Sequence, residues 1–584
     1  MSKREKTKKI RDPIYGYIEI EESIVHNIID TSTFQRLRNI RQTSYDPLYP
    51  SALHNRFVHS LGVYYLGCLA FDAISRSLQV NAEMQTKILG ELNVLIGDKI
   101  SRYKNLFELA CLLHDVGHSP FSHTGEVFYK TSKSQVSLLP ETGEKEYSIH
   151  KHLTYLTKDS VFDSLAAHDV AGHEIMSCIV ALEAFGRDQQ YFQDDQERSF
   201  FARCITGIEY DDATDLTQKN YMDMNDVQRD DIRRKMLLNC IIQLLHSSVI
   251  DVDRLDYIIR DASTMGYQSV SVDYNRLLAG LELVLIDDYN FTVGFHKNAI
   301  SVIENAVYAH DNEKKWVQNH PAIIYDSYLL QQSIIHIENK IKSDYPQSQS
   351  SLISYDSLTD QGSHFHAGEM DVDKMHIRFL CDADIIFLMK NKYSCSHAEE
   401  YFNRNMRRLP VWKSEAEFMH LFEESDRNII IETMEKIMTN NSGAADSVEI
   451  SCDTLKIIEE DIVASKQAGY STRFEFYKKR LQCVESLLAL CKKYEIEPNV
   501  ALLSKSFFKS NFSKETMQNL PILFPGSGKK SLLKDVSSTL SSKQISDGKL
   551  IYLFYYPRVN REKIDTYNFS QELLQSFKNI KGGQ

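Results

Sequence analysis

Apolar residues recur three and four apart along most of the chain, the spacing of a helix with one buried face. "SIVHNIIDTSTFQRLRNI" (23–40), "FELACLLHD" (107–115), "HEIMSCIVALEAF" (173–185), "MLLNCIIQLLHS" (236–247) and "DRLDYIIRDA" (253–262) all carry it. Strand patterns are fewer: "GYIEIE" (16–21), "LELVLIDDYNFTVGF" (281–295) and "KLIYLFYYPRV" (549–559), where β-branched and aromatic residues alternate or cluster. Stretches rich in Ser, Gly and Asp at 130–148, 342–369 and 439–449 read as loops or linkers. The pattern predicts a mainly α protein with small β-hairpin or sheet elements. It divides linearly into a catalytic core with an N-terminal segment over 1–345, a helical extension over 346–445 and an α+β region over 446–584. No internal repeat is visible.

Composition adds limits. Of 584 residues, 42% are hydrophobic and 25% charged, enough to bury a large core. A net charge of −13 argues against a general nucleic-acid coat. No apolar run approaches the about 20 residues of a membrane helix, and "MSKREKTKKIRD" has no apolar stretch behind its charges, so no secretory leader is expected. The 10 cysteines include no CxxC pair and sit singly in apolar surroundings, so reduced, buried thiols in a cytoplasmic protein are expected. "FPGSGKKS" (524–531) lacks the spacing of a phosphate-binding loop and is set aside.

Three runs concentrate chemistry. "HNRFVHSLGV" holds His54, Arg56 and His59; "LLHDVGHSPFSH" holds His114, Asp115, His118 and His123; "VIDVDRLDYIIRD" holds Asp251, Asp253, Asp256 and Asp261. Two imidazoles with two carboxylates make a mixed N/O shell suited to a borderline or hard divalent ion that keeps positions open for water and phosphate. His114 and Asp115 are adjacent and cannot share one helix face. A helix end, with Gly117 as the stop and Pro120 beyond, would let both face one cavity. Glu126, three residues after His123, could orient that imidazole.

These runs, with "DPIYGYIEI" and "FQRLRNIRQ" before them, resemble the HD-domain phosphohydrolases, and within them the deoxynucleoside triphosphate (dNTP) triphosphohydrolases, over roughly 8–280 and more weakly to 420. The resemblance implies an HD-domain helical core and metal ligands His59, His114, Asp115 and Asp253. It implies catalytic roles for His118, His123, Glu126 and His173. Substrate contacts would come from Gln42, Arg56, Arg254, Tyr257, Asp261 and His320, the last in "WVQNHPAII" (316–324). The cofactor would be a divalent metal among Mg, Mn, Fe, Co, Ni and Zn. The reaction implied is hydrolysis of a dNTP to deoxynucleoside and inorganic triphosphate, serving pool control or antiviral or antiphage depletion. Arg254 stands where close relatives have Lys, and Thr43 where an apolar residue is usual.

The same resemblance implies an allosteric (d)NTP site at Lys8, Asp30, Gln35 and Arg38, and a homo-oligomer (dimer, tetramer or hexamer). Arg11 departs from the smaller polar residue usual there. No sterile-alpha-motif domain and no membrane partner are expected. Arg404, Arg407, Arg408 and Lys413 form a basic cluster that either faces effector phosphates or is a solvated helix face. Alternatives are an HD-domain hydrolase of another nucleotide (a 5′-nucleotidase or one acting on a signalling nucleotide), a nucleotide-sensing scaffold, and a binder of single-stranded nucleic acid, which the net charge disfavours.

Overall fold

The structure is a computed structural model describing residues 6–80, 92–128, 149–167, 170–214, 216–247, 250–267, 271–344, 370–372, 375–377, 379–440, 443–444, 446–524, 529–537, 549–557 and 562–582. Most of the loops expected at 130–148 and 342–369, part of 439–449, and 525–528 of "FPGSGKKS" lie outside these residues. The chain forms two compact units: residues 1–313, 334–393 and 510–543 in the first, and 314–333, 394–509 and 544–584 in the second. Each linear segment expected from the sequence therefore contributes to both units.

Helices of the first unit include α1 (Arg56–Val80), α2 (Leu92–Leu113), α3 (Gly172–Phe185), α4 (Asp195–Thr206), α5 (Asp226–Leu245) and α6 (Val252–Met265). Side-chain caps fix where several begin. Asp194 accepts from the Glu197 amide, Asn225 and Gln228 form a reciprocal capping box, and Asp251 accepts from the Arg254 amide. The predicted hairpin over 281–295 is present: Leu281–Leu285 pairs antiparallel with Phe291–His296. Phe291–His296 also pairs in parallel with Pro521–Phe524, which pairs antiparallel with Lys529–Leu532. A separate hairpin joins Thr7–Asp12 to Gly16–Glu21.

The second unit packs helices Glu424–Met438, Cys452–Gln467, Ser471–Lys493 and Thr566–Gly582 with an antiparallel sheet. The strand order there is Ser447–Ile450, Val500–Ser506, Lys549–Tyr555, Leu409–Pro410. Its core centres on Trp412, Phe418, Met434, Leu487, Leu553 and Phe569.

The mainly α expectation with small sheets holds, with four local corrections. The stretch 23–40 is not one helix. It breaks into short turns at Glu22–Ile24, Val25–Ile29, Ser32–Gln35 and Arg36–Asn39, because Thr31 leaves helical geometry to cap the Phe34 amide. Residues Arg56–Leu78 are long and apolar enough to cross a membrane by length and composition, contrary to expectation, but 72% of that window is buried inside the protein. Its apolar surface is that of a core helix. The thiols are not all buried, since Cys452 is exposed and Cys68 and Cys395 are partly so. The basic cluster divides: Arg404 and Lys413 are exposed, whereas Arg408 is buried and Arg407 pairs with Asp326.

Candidate metal centre and its surroundings

α2 stops at Leu113, so His114 and Asp115 sit in the turn that follows, free of the helical spacing that would have aimed them apart. His59 lies in the first turn of α1, and Asp253 in the first turn of α6 behind its Asp251 cap. The four come together. His59 Nε2 is 3.2 Å from His114 Nε2. Asp253 Oδ1 lies 2.9 Å from the first and 3.6 Å from the second. Asp115 Oδ2 lies 3.6 and 3.5 Å from them.

Both outer nitrogens are committed elsewhere. His59 Nδ1 faces Asp256 Oδ2 at 2.7 Å, and His114 Nδ1 faces the Cys111 carbonyl at 2.9 Å. Donation at Nδ1 leaves the lone pair on Nε2. Two lone pairs facing each other across 3.2 Å, ringed by carboxylates, are relieved by positive charge among them, whether a proton or a bound metal ion. The donor set thus fits a divalent ion.

Behind this centre is a buried charged network. Asp256 accepts from Arg260 through Nε (2.9 Å) and Nη2 (2.9 Å) and from the Tyr15 hydroxyl (2.7 Å). Arg260 also donates to Asp12 at 3.0 Å, and Asp12 accepts from the amides of Ile14 and Tyr15. The N-terminal hairpin is thereby wired to a candidate metal ligand. A Cβ on Gly62 would fall 1.9 Å from Asp256 Oδ1, so only glycine allows α1 to approach this network.

His118, His123 and His173 form a second cluster beside the first. The rings of His118 and His173 stack at 4.4 Å, and His123 stands edge-on to both at 5.2 Å. Glu126 bridges His123 Nδ1 and His173 Nδ1, each at 3.0 Å. Burial pushes the Glu126 carboxyl up, but the two imidazoles outweigh it and hold it below its usual range. The spacing pointed to His123 as its partner; the link to His173 is long-range and had no local signal. His118 is wholly buried, and neither ring nitrogen has a hydrogen-bond partner among the described residues. Burial, then the nearby Arg56 guanidinium, keep it neutral.

Gly117 acts differently from the helix stop expected. An added Cβ there would lie 2.4 Å from the Met176 carbonyl carbon and the Ser177 amide nitrogen, so glycine lets the turn pack on the α3 backbone. Its own amide donates to Ser177 Oγ at 3.0 Å. The following Phe121 and Ser122 hold positive φ of 57° and 51°, a strained conformation for side-chain-bearing residues. Asp382 secures them, accepting from the amides of Phe121 (2.7 Å) and Arg41 (2.9 Å). Burial pushes its carboxyl up to about 6 against those bonds.

Of the expected substrate residues, Arg56 turns inward. It donates to Asp115 at 2.6 Å and Ser122 at 2.9 Å, with Gln42 O at 3.4 Å. The Gln42 amide bonds the His54 carbonyl, and His54 Nε2 lies 2.6 Å from Asp261 Oδ1. Gln42 and Asp261 are thus drawn together through His54, to which the sequence assigned no role. Gln42 Oε1 is buried without a hydrogen-bond partner among the described residues. Burial, opposed by the Glu313 hydrogen bond, pushes Asp261 up to about 7. Tyr257 is half-buried one turn before Asp261, and Arg254 lies against its cap, Asp251, at 3.5 Å.

A cavity of about 1190 Å³ opens beside Asp251 and Arg254, lined also by Gln243, His246 and Phe291; none of the four candidate ligands lines it. His320 belongs to the second unit. Its Nδ1 accepts from the Ala322 amide at the start of helix Pro321–Asp344.

Of the residues expected to hold an effector, Lys8 and Asp30 face each other at 4.0 Å, both half-exposed. Gln35 accepts from Arg38 at 2.7 Å and donates to the Ile29 carbonyl, next to Asp30. Arg38 lies over the Phe57 ring at 3.6 Å, and Arg11 over Tyr17 at 5.0 Å.

No protein-family profile matches the chain. It is 26% identical over 300 residues to the uncharacterized protein MG461 of Mycoplasma genitalium, covering 50% of this chain and 52% of that protein. It is 30% identical over 281 residues to the deoxynucleoside triphosphate triphosphohydrolase SAMHD1 of Gallus gallus, covering 46% of this chain and 36% of that protein. Among solved structures, a hypothetical protein from Aquifex aeolicus aligns over 97% of this chain and 100% of its own, with a TM-score of 0.49 and 16% identity. The chain spans about half, or less, of the length of these curated relatives. The chain is thus similar, over roughly half its length, to proteins named deoxynucleoside triphosphate triphosphohydrolase, and it brings together a His/Asp cluster of His59, His114 and Asp115.

Proposed function

We propose that the protein is a metal-dependent dNTP triphosphohydrolase that releases deoxynucleoside and inorganic triphosphate. The observation that carries this reading is the pair of His59 and His114 Nε2 atoms, face to face at 3.2 Å and flanked by Asp115 and Asp253. A divalent metal held there supplies Lewis acidity toward a phosphate oxygen and water.

The chain's own groups do the rest. Water attacks the α-phosphorus, and the bond to the sugar 5′ oxygen breaks. His123 moves a proton through Nε2, while Glu126 at Nδ1 stabilises the charge that appears on the ring. His173 shares that carboxylate and steadies it. His118, neutral and without a hydrogen-bond partner for its ring among the described residues, has a ring N–H to give to a phosphate oxygen. The proton given up by the attacking water passes to the departing sugar 5′ oxygen, Arg254 neutralises charge on the triphosphate, and Arg56 holds Asp115 in place. The buried Gln42 Oε1 and the Asp261 carboxyl, with Tyr257, supply polar contacts for the sugar. Lys8, Asp30, Gln35 and Arg38 form the effector site, occupied by a (d)NTP in a homo-oligomer.

The test is product analysis. Purified protein is incubated with Mn²⁺ or Mg²⁺ and each dNTP, singly and mixed, and products are resolved by chromatography. Triphosphate with deoxynucleoside is expected, faster in mixtures that supply an effector. Pyrophosphate with monophosphate, or activity confined to monophosphates, overturns the substrate assignment. Asp115→Ala removes a charged ligand and should abolish turnover; persisting turnover overturns the metal assignment.

A further inference from the structure

In the second unit, away from the residues used above, Cys395 sits immediately before the short helix Ser396–Phe402. Its thiol is half-exposed, lies 4.0 Å from Ser333 Oγ and interacts with the imidazole of His397 two residues on. His397 Nε2 in turn lies 3.0 Å from Glu449 Oε1.

That carboxylate is fixed from behind. Arg408 reaches the same oxygen at 2.8 Å, and Tyr328, whose ring stands edge-on to His397 at 6.0 Å, also bonds Glu449. Arg408 is buried and tied down by the Tyr325 hydroxyl (3.1 Å) and Asn499 (2.8 Å). A thiol, an imidazole and an anchored carboxylate thus stand in series, an arrangement that activates a sulfur nucleophile.

We propose that Cys395 is a modification site, a nucleophilic thiol activated by His397 and Glu449 that forms mixed disulfides with low-molecular-weight disulfides. Its thiolate attacks one sulfur of the small disulfide. A new S–S bond forms to Sγ, and the original S–S bond breaks. The departing sulfur leaves with the bonding electron pair and takes the proton held by His397, so one thiol is released for each one consumed.

The electrostatics agree. Burial lifts the Cys395 thiol, but the His397 hydrogen bond outweighs it and the net displacement is downward. His397 is pushed up to about 9: burial opposes, and the thiol and Glu449 prevail. Cys111, Cys178 and Cys204, by contrast, are buried and lifted well above the ordinary range. This site stands independently of the phosphohydrolase reading.

Cys452, which is exposed, is an internal reference. The native full-length chain is exposed briefly to oxidised glutathione at pH 7, quenched with acid and mapped by peptide mass spectrometry. Cys395 is expected to be modified at least several-fold faster than Cys452. His397→Gln should slow Cys395 about tenfold and leave Cys452 unchanged. Equal or slower modification of Cys395, or an unaltered rate in His397→Gln, overturns the proposal. Should that variant fail to fold, the wild-type rates between pH 6 and 9 decide: a flatter profile at Cys395 than at Cys452 is expected, and parallel profiles overturn it.

Discussion

His59 Nδ1 lies 2.7 Å from Asp256 Oδ2, and the other oxygen of that carboxylate receives the hydroxyl of Tyr15, 241 positions earlier in the chain. A candidate metal ligand is therefore oriented by a hairpin remote in sequence, through a carboxylate that never reaches the metal position itself.

Asp256→Asn should weaken Mn²⁺ binding about 10- to 100-fold, because the tautomer and aim of His59 are no longer enforced. Tyr15→Phe should weaken it by a smaller factor and cost about 1–2 kcal/mol of stability, the loss of one buried bond to a charged group. Electron paramagnetic resonance titration with Mn²⁺ measures the first effect and thermal unfolding the second. Wild-type Mn²⁺ affinity in Asp256→Asn would show that His59 needs no such support.

Glu126→Gln leaves one amide where a carboxylate now holds two imidazoles. Turnover of the hydrolysed nucleotide should fall about 10²- to 10⁴-fold, the usual contribution of a positioned acid–base pair. The acid limb of the pH–rate profile should also move. A fall in rate without any change in profile would point to a purely structural role.

Gly62→Ala drives a methyl into the Asp256–Arg260 pair, 1.9 Å from Oδ1. Separating a buried ion pair in a packed core should cost on the order of 3 kcal/mol. Urea unfolding midpoints of Gly62→Ala and wild type give the difference directly, and near-equal midpoints would mean that α1 can shift to make room.

Asp382 makes stability depend on pH in a defined direction. Its carboxyl stands at about 6 in the fold against 3.8 for its ordinary value. A group raised in the native state gives its full stabilisation below about 4, and that is lost as pH rises through about 6. The loss is on the order of 3 kcal/mol. Asp382→Asn removes this titration, so the difference in unfolding free energy between variant and wild type should change between pH 4 and pH 7. A constant difference would place the Asp382 carboxyl at its ordinary value.

The four candidate ligands were legible because each is adjacent to a helix end whose apolar spacing marks it, and their residue types are chemically distinctive. Asp256 was visible in the same run as Asp253, but nothing local says that it faces His59 rather than solvent. Tyr15 had no signal at all, since a buried partner 241 positions away leaves no periodicity, and Arg260, four residues after Asp256, had only a spacing shared with any surface ion pair. Gly117 was noticed for the wrong reason: helix stops and close backbone approaches both select glycine, and only the packed α3 distinguishes them. Arg407 and Arg408 read as surface charge because their acidic partners, Asp326 and Glu449, lie in other segments.

The parallel pairing of Pro521–Phe524 with Phe291–His296 has a consequence for how the protein is made. At roughly 5–20 residues per second, a ribosome needs about 10–45 s to reach residue 521 after finishing residue 296. Throughout that interval the edge of the 281–296 hairpin lacks its eventual neighbour and is open to pairing with another nascent chain. Fragments ended near residue 345 would carry the same open edge permanently. Coexpressing residues 510–543 with such a fragment should improve its yield in soluble form.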